Sequence, residues 1–439
     1  MQPLTLQLYH QGVWHDAARL SVQQPELGLA GRCNLAYQSD YLVEHLEALQ
    51  TRLGLAVSAN YPLSWDAWHL EHAPAFLLDI LPAGAARRFL LARLATQRPQ
   101  DIHLDLYLLS RYTAAPIGNL RIKEAVQEPV AHAGFSRQDV VQREASFLEY
   151  AYELGAAIGG ATGAGGEAPK LLLTEDTQGR LHPDAALEDT QAVQHWFVKF
   201  ARNKASARDQ DILRSEYCYY QAVSQIGLNT VTTQGMTLEE AHKPSLWMHR
   251  FDRAVTAAGV QRRAVESMYS LAQVNQPGAY MQHTDALKCL VELWRSAGQQ
   301  DQVDELVFEY LRRDLLNQIL GNSDNHGRNL AVLRTESGIE LAPIYDLAPM
   351  VMDDEGITRT TKWPKPVEQG GQVDWLAACQ LAGDWTDTEQ LYQRLRHAAQ
   401  EFLALPDLLT DLGLPLVTMN HPRIALAQLP KRLTDWGLL

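Results

Sequence analysis

The chain has 439 residues, 46% of them apolar and 21% charged, with 38 Lys plus Arg against 52 Asp plus Glu and a net charge of −14. That length exceeds a single hydrophobic core and implies two or three domains, while the apolar and charged shares are those of a globular protein. The acidic balance argues against a chain that grips nucleic acid through a basic surface, and no apolar run reaches the length of a membrane span. The start, Met1 to Leu8, has neither the basic opening nor the apolar core of a signal peptide. Cys33, Cys218, Cys289 and Cys379 lack C-x-x-C spacing and read as reduced packing residues of a cytoplasmic protein.

In chain order, Leu4 to Tyr9 alternates with a period of two, and Gln11-Gly12 follows as a turn. A helix-rich stretch comes next, from Phe76-Leu77-Leu78 through Leu81-Pro82 to Leu94, then Asp105 to Leu109 and a Gly-containing strand at Pro116 to Leu120. These positions read as core packing and turns. Residues 127–134, with Pro129, Ala131 and Ala133, form a linker, and a helix starts after the Ser136 N-cap and continues through Val140, Val141, Phe147, Leu148 and Leu154. From Gly159 to Gly166 there are five glycines in eight residues, directly before the apolar strand that begins at Lys170. Such a loop can offer bare backbone N–H groups to phosphate oxygens, although it is neither a Walker A loop nor G-x-G-x-x-G, and a plain flexible loop has the same composition.

His195 to Phe200 is a buried strand carrying one lysine, Lys199, whose ammonium needs a charge to meet unless the strand lies at an edge. The helix from about Asp209 to Ile226 sets Glu216 among Tyr217, Cys218, Tyr219 and Tyr220. Strands then lead to Met248-His249-Arg250-Phe251-Asp252-Arg253, where Arg250, Asp252 and Arg253 form a charge cluster. Helices follow at about Ser267 to Ala272, Thr284 to Gln299 and Asp304 to Leu320. The last shows Leu306, Val307, Tyr310, Leu311, Leu315, Ile319 and Leu320 at helical spacing. Residues 350–372, with Arg359, Lys362, Trp363 and Lys365, read as a surface loop, and Pro-punctuated helices complete the chain from Trp375.

The chemistry concentrates at Gly321-Asn322-Ser323-Asp324-Asn325-His326-Gly327-Arg328-Asn329. A hairpin turning at Thr335-Glu336-Ser337-Gly338 follows; with Arg334 and Ile339 starting the pairing, Asn329 falls opposite Ile344 and Asp346 lies just past the second strand. Phosphoryl transfer asks a protein for positioning and charge neutralisation. One carboxylate, Asp324, orients the attacking hydroxyl, while Asn329 and Asp346 offer oxygen ligands to a hard cation. The D-x-x-x-x-N spacing is that of a protein-kinase catalytic loop.

The run G-N-S-D-N-H-G-R-N-L, with P-I-Y-D-L-A-P after it, resembles the HipA family of bacterial serine/threonine kinases, the toxins of HipBA-type toxin–antitoxin systems. Weaker likenesses extend from about residue 75 to about residue 350. The resemblance implies an α+β, two-lobed protein-kinase-like fold. It would comprise an N-terminal α/β domain (1–126), an ATP-binding lobe (127–250) and a mostly helical catalytic C-terminal lobe (251–439). It implies ATP held by Gly163, Gly165, Gly166 and Lys170 of the Gly-rich loop, by Lys199 paired with Glu216, and by Met248, His249 and Phe251 around adenine. Asp324 would then be the base, His326 its support, and Asn329 and Asp346 the Mg2+ ligands. His249 stands where an acidic residue is expected. The family's self-phosphorylated loop serine corresponds to Gly163 here, with Thr162 adjacent as a substitute. The implied partners are a protein substrate with a Ser/Thr acceptor, commonly an aminoacyl-tRNA synthetase or another translation protein, and a small DNA-binding, HipB-like antitoxin. Two alternatives stand beside this reading. D-x-H-x-x-N also resembles the loop of phosphoinositide-kinase-like enzymes, and a regulatory pseudokinase would bind nucleotide and antitoxin without transfer.

Overall fold

The computed structural model describes residues 2–94, 102–126, 133–143, 168–202 and 205–439. Its packing forms two units that interleave along the chain. The first comprises Met1–Phe200, Glu239–Pro277 and Ala331–Ala342, and the second Ala201–Leu238, Gly278–Leu330 and Pro343–Leu439. Packing therefore does not cut the chain at residues 126 and 250: strands from beyond both positions return to the first unit. Among the described residues no helix is long and apolar enough to cross a membrane.

The first unit opens with an antiparallel sheet in the order Trp68–Leu70, Cys33–Tyr37, Val13–Val22, Leu4–His10 and Leu120–Ile122. Alternation in Leu4, Leu6 and Leu8 points these three side chains into one core with Phe76, Leu77, Ile80, Leu106 and Leu109 from the helical stretch. The turn is where the sequence puts it. His10 pairs with Val13, and both Gln11 and Gly12 take positive φ, the backbone of a tight two-residue hairpin.

A second sheet places Leu181–Pro183, Lys170–Asp176, Ala192–Phe200 and Ser245–His249 side by side. Its core is built from Leu171, Leu173, Val198, Phe200 and Trp247. In the third sheet Ala264–Ser267 pairs with Ala331–Arg334, which pairs with Ile339–Leu341. Arg334 lies opposite Ile339 as the hairpin reading requires. It is buried, joins Glu266 at 2.9 Å, and donates to the carbonyls of Leu53 (2.8 Å) and Ala56 (3.0 Å). Glu266 in turn accepts from Ser58 Oγ at 2.6 Å and from the Ala59 N–H at 2.9 Å. The ladder stops at Ala342, whose N–H reaches Ala331. Pro343 then has no N–H to continue it. Ile344 accordingly does not face Asn329; its N–H donates to Asn229 and it bridges Thr230.

The second unit is mostly helical. The Ala207–Gln225 helix starts from a capping box in which Ser206 and Asp209 satisfy each other's backbone N–H. The Val303–Leu320 helix ends at Gly321, which has φ +67 and no room for a Cβ: one would lie 2.7 Å from both Ile424 and Val351 side chains.

Residues 350–372 are not the surface loop that composition suggests. Trp363 is buried, stacks on His283, and donates its indole N–H to Asp314 Oδ2 at 2.9 Å. Arg359 donates to Asp314 Oδ1 at 2.8 Å and approaches Glu368 at 3.3 Å, and Thr361–Lys362 pairs with Met281–Gln282. A carboxylate on a helix, Asp314, pins the segment through partners that local sequence does not reveal.

Candidate active site

The loop after Gly321 is held by its own polar side chains. Asn322 Nδ2 donates to Asn317 Oδ1 on the preceding helix (2.9 Å), Ser323 Oγ to the Ile357 carbonyl (2.8 Å) and Asn325 Nδ2 to the Thr361 carbonyl (2.8 Å). These bonds draw the loop against residues 357–361, the segment that Asp314 secures. Asp324 is left partly open, its side chain 16% exposed.

Asp324 and Asn329, five residues apart, meet. Asn329 Nδ2 donates to the Asp324 carbonyl at 2.6 Å. Its Oδ1 is buried and accepts no hydrogen bond among the described residues. A buried amide oxygen without a donor is costly, and a cation would remove the cost. His326 lies beside the carboxylate. Its Nδ1 lies 3.2 Å from the Arg328 N–H, so a neutral ring carries its proton on Nε2, 3.4 Å from Asp324 Oδ1.

Asp346 adopts φ +54, a left-handed backbone that a residue with a side chain takes at a cost of about 1–3 kcal/mol. The neighbourhood holds it there. Asn322 Nδ2 reaches its carbonyl at 3.4 Å, and the next N–H, of Leu347, donates to Tyr220 Oη at 3.3 Å. The Tyr220 hydroxyl donates to Glu216 Oε1 at 3.1 Å. Burial raises the Tyr220 hydroxyl well above its ordinary range, and Glu216 and Asp346 raise it further, so it stays a donor. Glu216 is thus wired to the Asp346 backbone through Tyr220.

In the first unit, Lys170 and Lys199 lie directly opposite on neighbouring strands, and Leu246 flanks Lys199 on its other side. Both lysines are buried, at 5% and 6% exposure, so Lys199 is not an edge-strand lysine reaching solvent. Like charges facing each other on one face of a sheet repel, so the arrangement calls for compensating negative charge. Met248 is buried opposite Phe197, His249 packs edge-on against Trp196 at 4.6 Å, and Phe251 is half-buried. Gly163, Gly165, Gly166 and Thr162 lie outside the described residues.

Arg250, Asp252 and Arg253 are buried and serve structure. Arg250 joins Asp184 at 2.9 Å and Asp252 at 2.6 Å, Arg253 joins Asp252 at 2.7 Å, and Asp252 accepts from the Gly118 N–H at 2.8 Å. Burial opposes charge on Asp252, but Arg250 and Arg253 hold its carboxyl well below the usual range. Both arginines also donate to the Pro116 carbonyl.

Sequence reasoning missed Tyr220, Asn322 and Tyr345, whose hydroxyl donates to the Arg328 carbonyl at 2.5 Å. Tyr220 had a signal, since it stands four residues after Glu216 on a helix, the spacing at which side chains meet.

Comparison with known proteins gives the family and the fold. A model of the HipA-like C-terminal domain matches residues 162–404, more than half of the chain. Toxin YjjJ of Escherichia coli (strain K12) is 24% identical over 358 residues, 76% of this chain and 75% of its own. Among solved structures, the HipA, HipB and operator DNA complex from Shewanella oneidensis MR-1 matches with a TM-score of 0.62 at 17% identity, covering 99% of this chain and 96% of the other. That likeness establishes the fold as α+β of the HipA, kinase-like kind.

Proposed function

The chain belongs to the HipA-like family, and from that premise we propose that it is an ATP- and Mg2+-dependent kinase that phosphorylates serine or threonine on a protein of translation, and that it acts as a toxin. The observation that carries this reading is the closure of the Asp324–Asn329 loop, which leaves the Asn329 Oδ1 buried and without a donor among the described residues. An amide oxygen and a carboxylate, Asn329 and Asp346, are the hard donors that suit magnesium. The ion would supply neutralisation of charge between the phosphates.

The chain's own residues do the rest. Asp324 accepts or orients the proton of the acceptor hydroxyl, with the His326 Nε2–H keeping the carboxylate in place. Lys170 and Lys199 face nucleotide phosphates, Glu216 is the candidate helix carboxylate, and the backbone of Gly163, Gly165 and Gly166 covers the phosphates. Met248, His249 and Phe251 take the adenine side. Burial lowers the His249 pKa, so its ring is neutral at neutral pH and stands in as an uncharged neighbour where an acid is usual. Thr162 is the candidate for self-phosphorylation. A small DNA-binding antitoxin is the partner we infer. The HipA–HipB–operator complex supports that inference, and so does a net charge of −14, which leaves DNA contact to a partner.

The test is transfer from radiolabelled ATP with magnesium in a bacterial lysate, wild type against Asp324→Ala. Label on a discrete protein band with wild type alone is the expected result, and mass spectrometry of that band identifies the substrate. Intact nucleotide binding with no transfer by wild type overturns the kinase reading in favour of a regulatory module. Phosphate on Thr162 after incubation with ATP is expected by mass spectrometry; an unmodified Thr162 removes it as the self-modification site.

A further inference from the structure

A separate cluster lies on the N-terminal sheet, within the first unit. His15 stands on the Val13–Val22 strand, Glu44 ends the Ser39–Glu44 helix, and His45 is that helix's C-cap. One donor atom from each lies within 4.8 Å of the other two. His15 Nδ1 and Glu44 Oε2 are 3.2 Å apart. Two ligands at 2.0–2.1 Å on a tetrahedral ion are separated by about 3.3 Å, so this pair already has the right spacing.

One nitrogen of the cluster points to a ligand. His45 Nε2 is shielded from solvent and meets no hydrogen-bond partner among the described residues. The His15 and His45 rings lie 5.8 Å apart, centroid to centroid, and Tyr41 packs edge-on against His45 at 4.5 Å, which fixes its plane. His10 stands beside them, 5.6 Å from the His45 ring, with its Nδ1 3.4 Å from Glu336 Oε1, and is therefore counted as a neighbour and not a donor.

We propose that His15, Glu44 and His45 form a binding site for a zinc-class divalent cation, separate from the magnesium ligands of the proposed kinase site. Two imidazoles and one carboxylate are a donor set suited to zinc and its neighbours, and solvent on the exposed Glu44 side supplies the fourth position. An ion there would clip the Val13–Val22 strand to the end of the Ser39–Glu44 helix.

The experiment uses the full chain, free of any histidine tag, titrated with Zn2+ by calorimetry and with Co2+ by visible absorption. One equivalent of Co2+ with the intense bands of tetrahedral coordination is expected, as is a rise in melting temperature with Zn2+. His15→Ala and His45→Ala should each weaken binding by more than about tenfold. Glu44→Gln alters a side chain that is 54% exposed and leaves the core untouched, so it should weaken binding in a protein that folds normally. Absence of saturable binding by wild type, or binding at full strength in all three variants, overturns the site.

Discussion

Around Arg250 and around Asp324 the chain uses the same residue types to opposite ends. Arg250 and Arg253 are answered by Asp252 and Asp184, and Asp252 takes a backbone N–H as well, all of it out of contact with water. In the Asp324 loop the backbone groups are tied down, while a carboxylate stays partly open and a buried amide oxygen accepts nothing among the described residues. Charges that answer one another hold elements together. In the function we propose, the unanswered Asn329 Oδ1 is where magnesium binds.

That contrast can be tested by moving stability and activity separately. Asp324→Ala should cost about 10²–10⁴-fold in phosphoryl transfer, with stability in urea shifting by no more than about 0.5 kcal/mol. Loss of both together would break the contrast. Asp252→Ala should do the reverse: it takes the nearest carboxylate from two buried guanidinium groups, and urea unfolding should show a loss of about 3–5 kcal/mol.

The Asp314 cluster belongs to the answered kind and adds a dependence on pH. Burial pushes His283 down to about 4 from its ordinary 6.5, with Asp314 opposing and Arg359 assisting. The unfolded chain therefore binds the proton more readily. Its stabilising contribution is complete above pH about 6.5 and is lost as pH falls toward about 4, by at most on the order of 3 kcal/mol. Urea midpoints from pH 7 down to 4.5 should show that slope, and His283→Gln should flatten it. The smallest change sharpens the other side. Asn329→Ala should destabilise by only about 1 kcal/mol, the worth of its bond to Asp324. In the same variant the magnesium needed for half-maximal transfer should rise; an unchanged magnesium requirement would remove Asn329 as a ligand.

Features set by near neighbours are legible in the amino-acid sequence. The Gln11-Gly12 turn, the Arg334–Ile339 register and the helix ending at Gly321 each follow from residues a few positions apart. Within the candidate site, the meeting of Asp324, His326 and Asn329 is legible for the same reason. Residues 350–372 mislead because their burial depends on Asp314, which is 45 residues from Arg359 and 49 from Trp363. Composition sees charge in that stretch and assigns it to water. Nor does a Pro at position 343 announce that Ile344 will turn to Asn229. The Tyr220 link falls between these cases, since its helical spacing to Glu216 is visible and its reach to Leu347 is not.

The stretch that the family model matches, residues 162–404, coincides with neither packing unit of the chain. Arg334 stands inside those limits, on the strand that leaves the Asp324 loop, yet two of its acceptors are carbonyls of Leu53 and Ala56. Its partner Glu266 is likewise completed by Ser58 and Ala59. Trimming the protein to its hereditary module would therefore strip a buried ion pair of its outer bonds and unsettle the hairpin next to Asn329. Heredity and cooperativity draw different borders on this chain, and an expression fragment should follow the second.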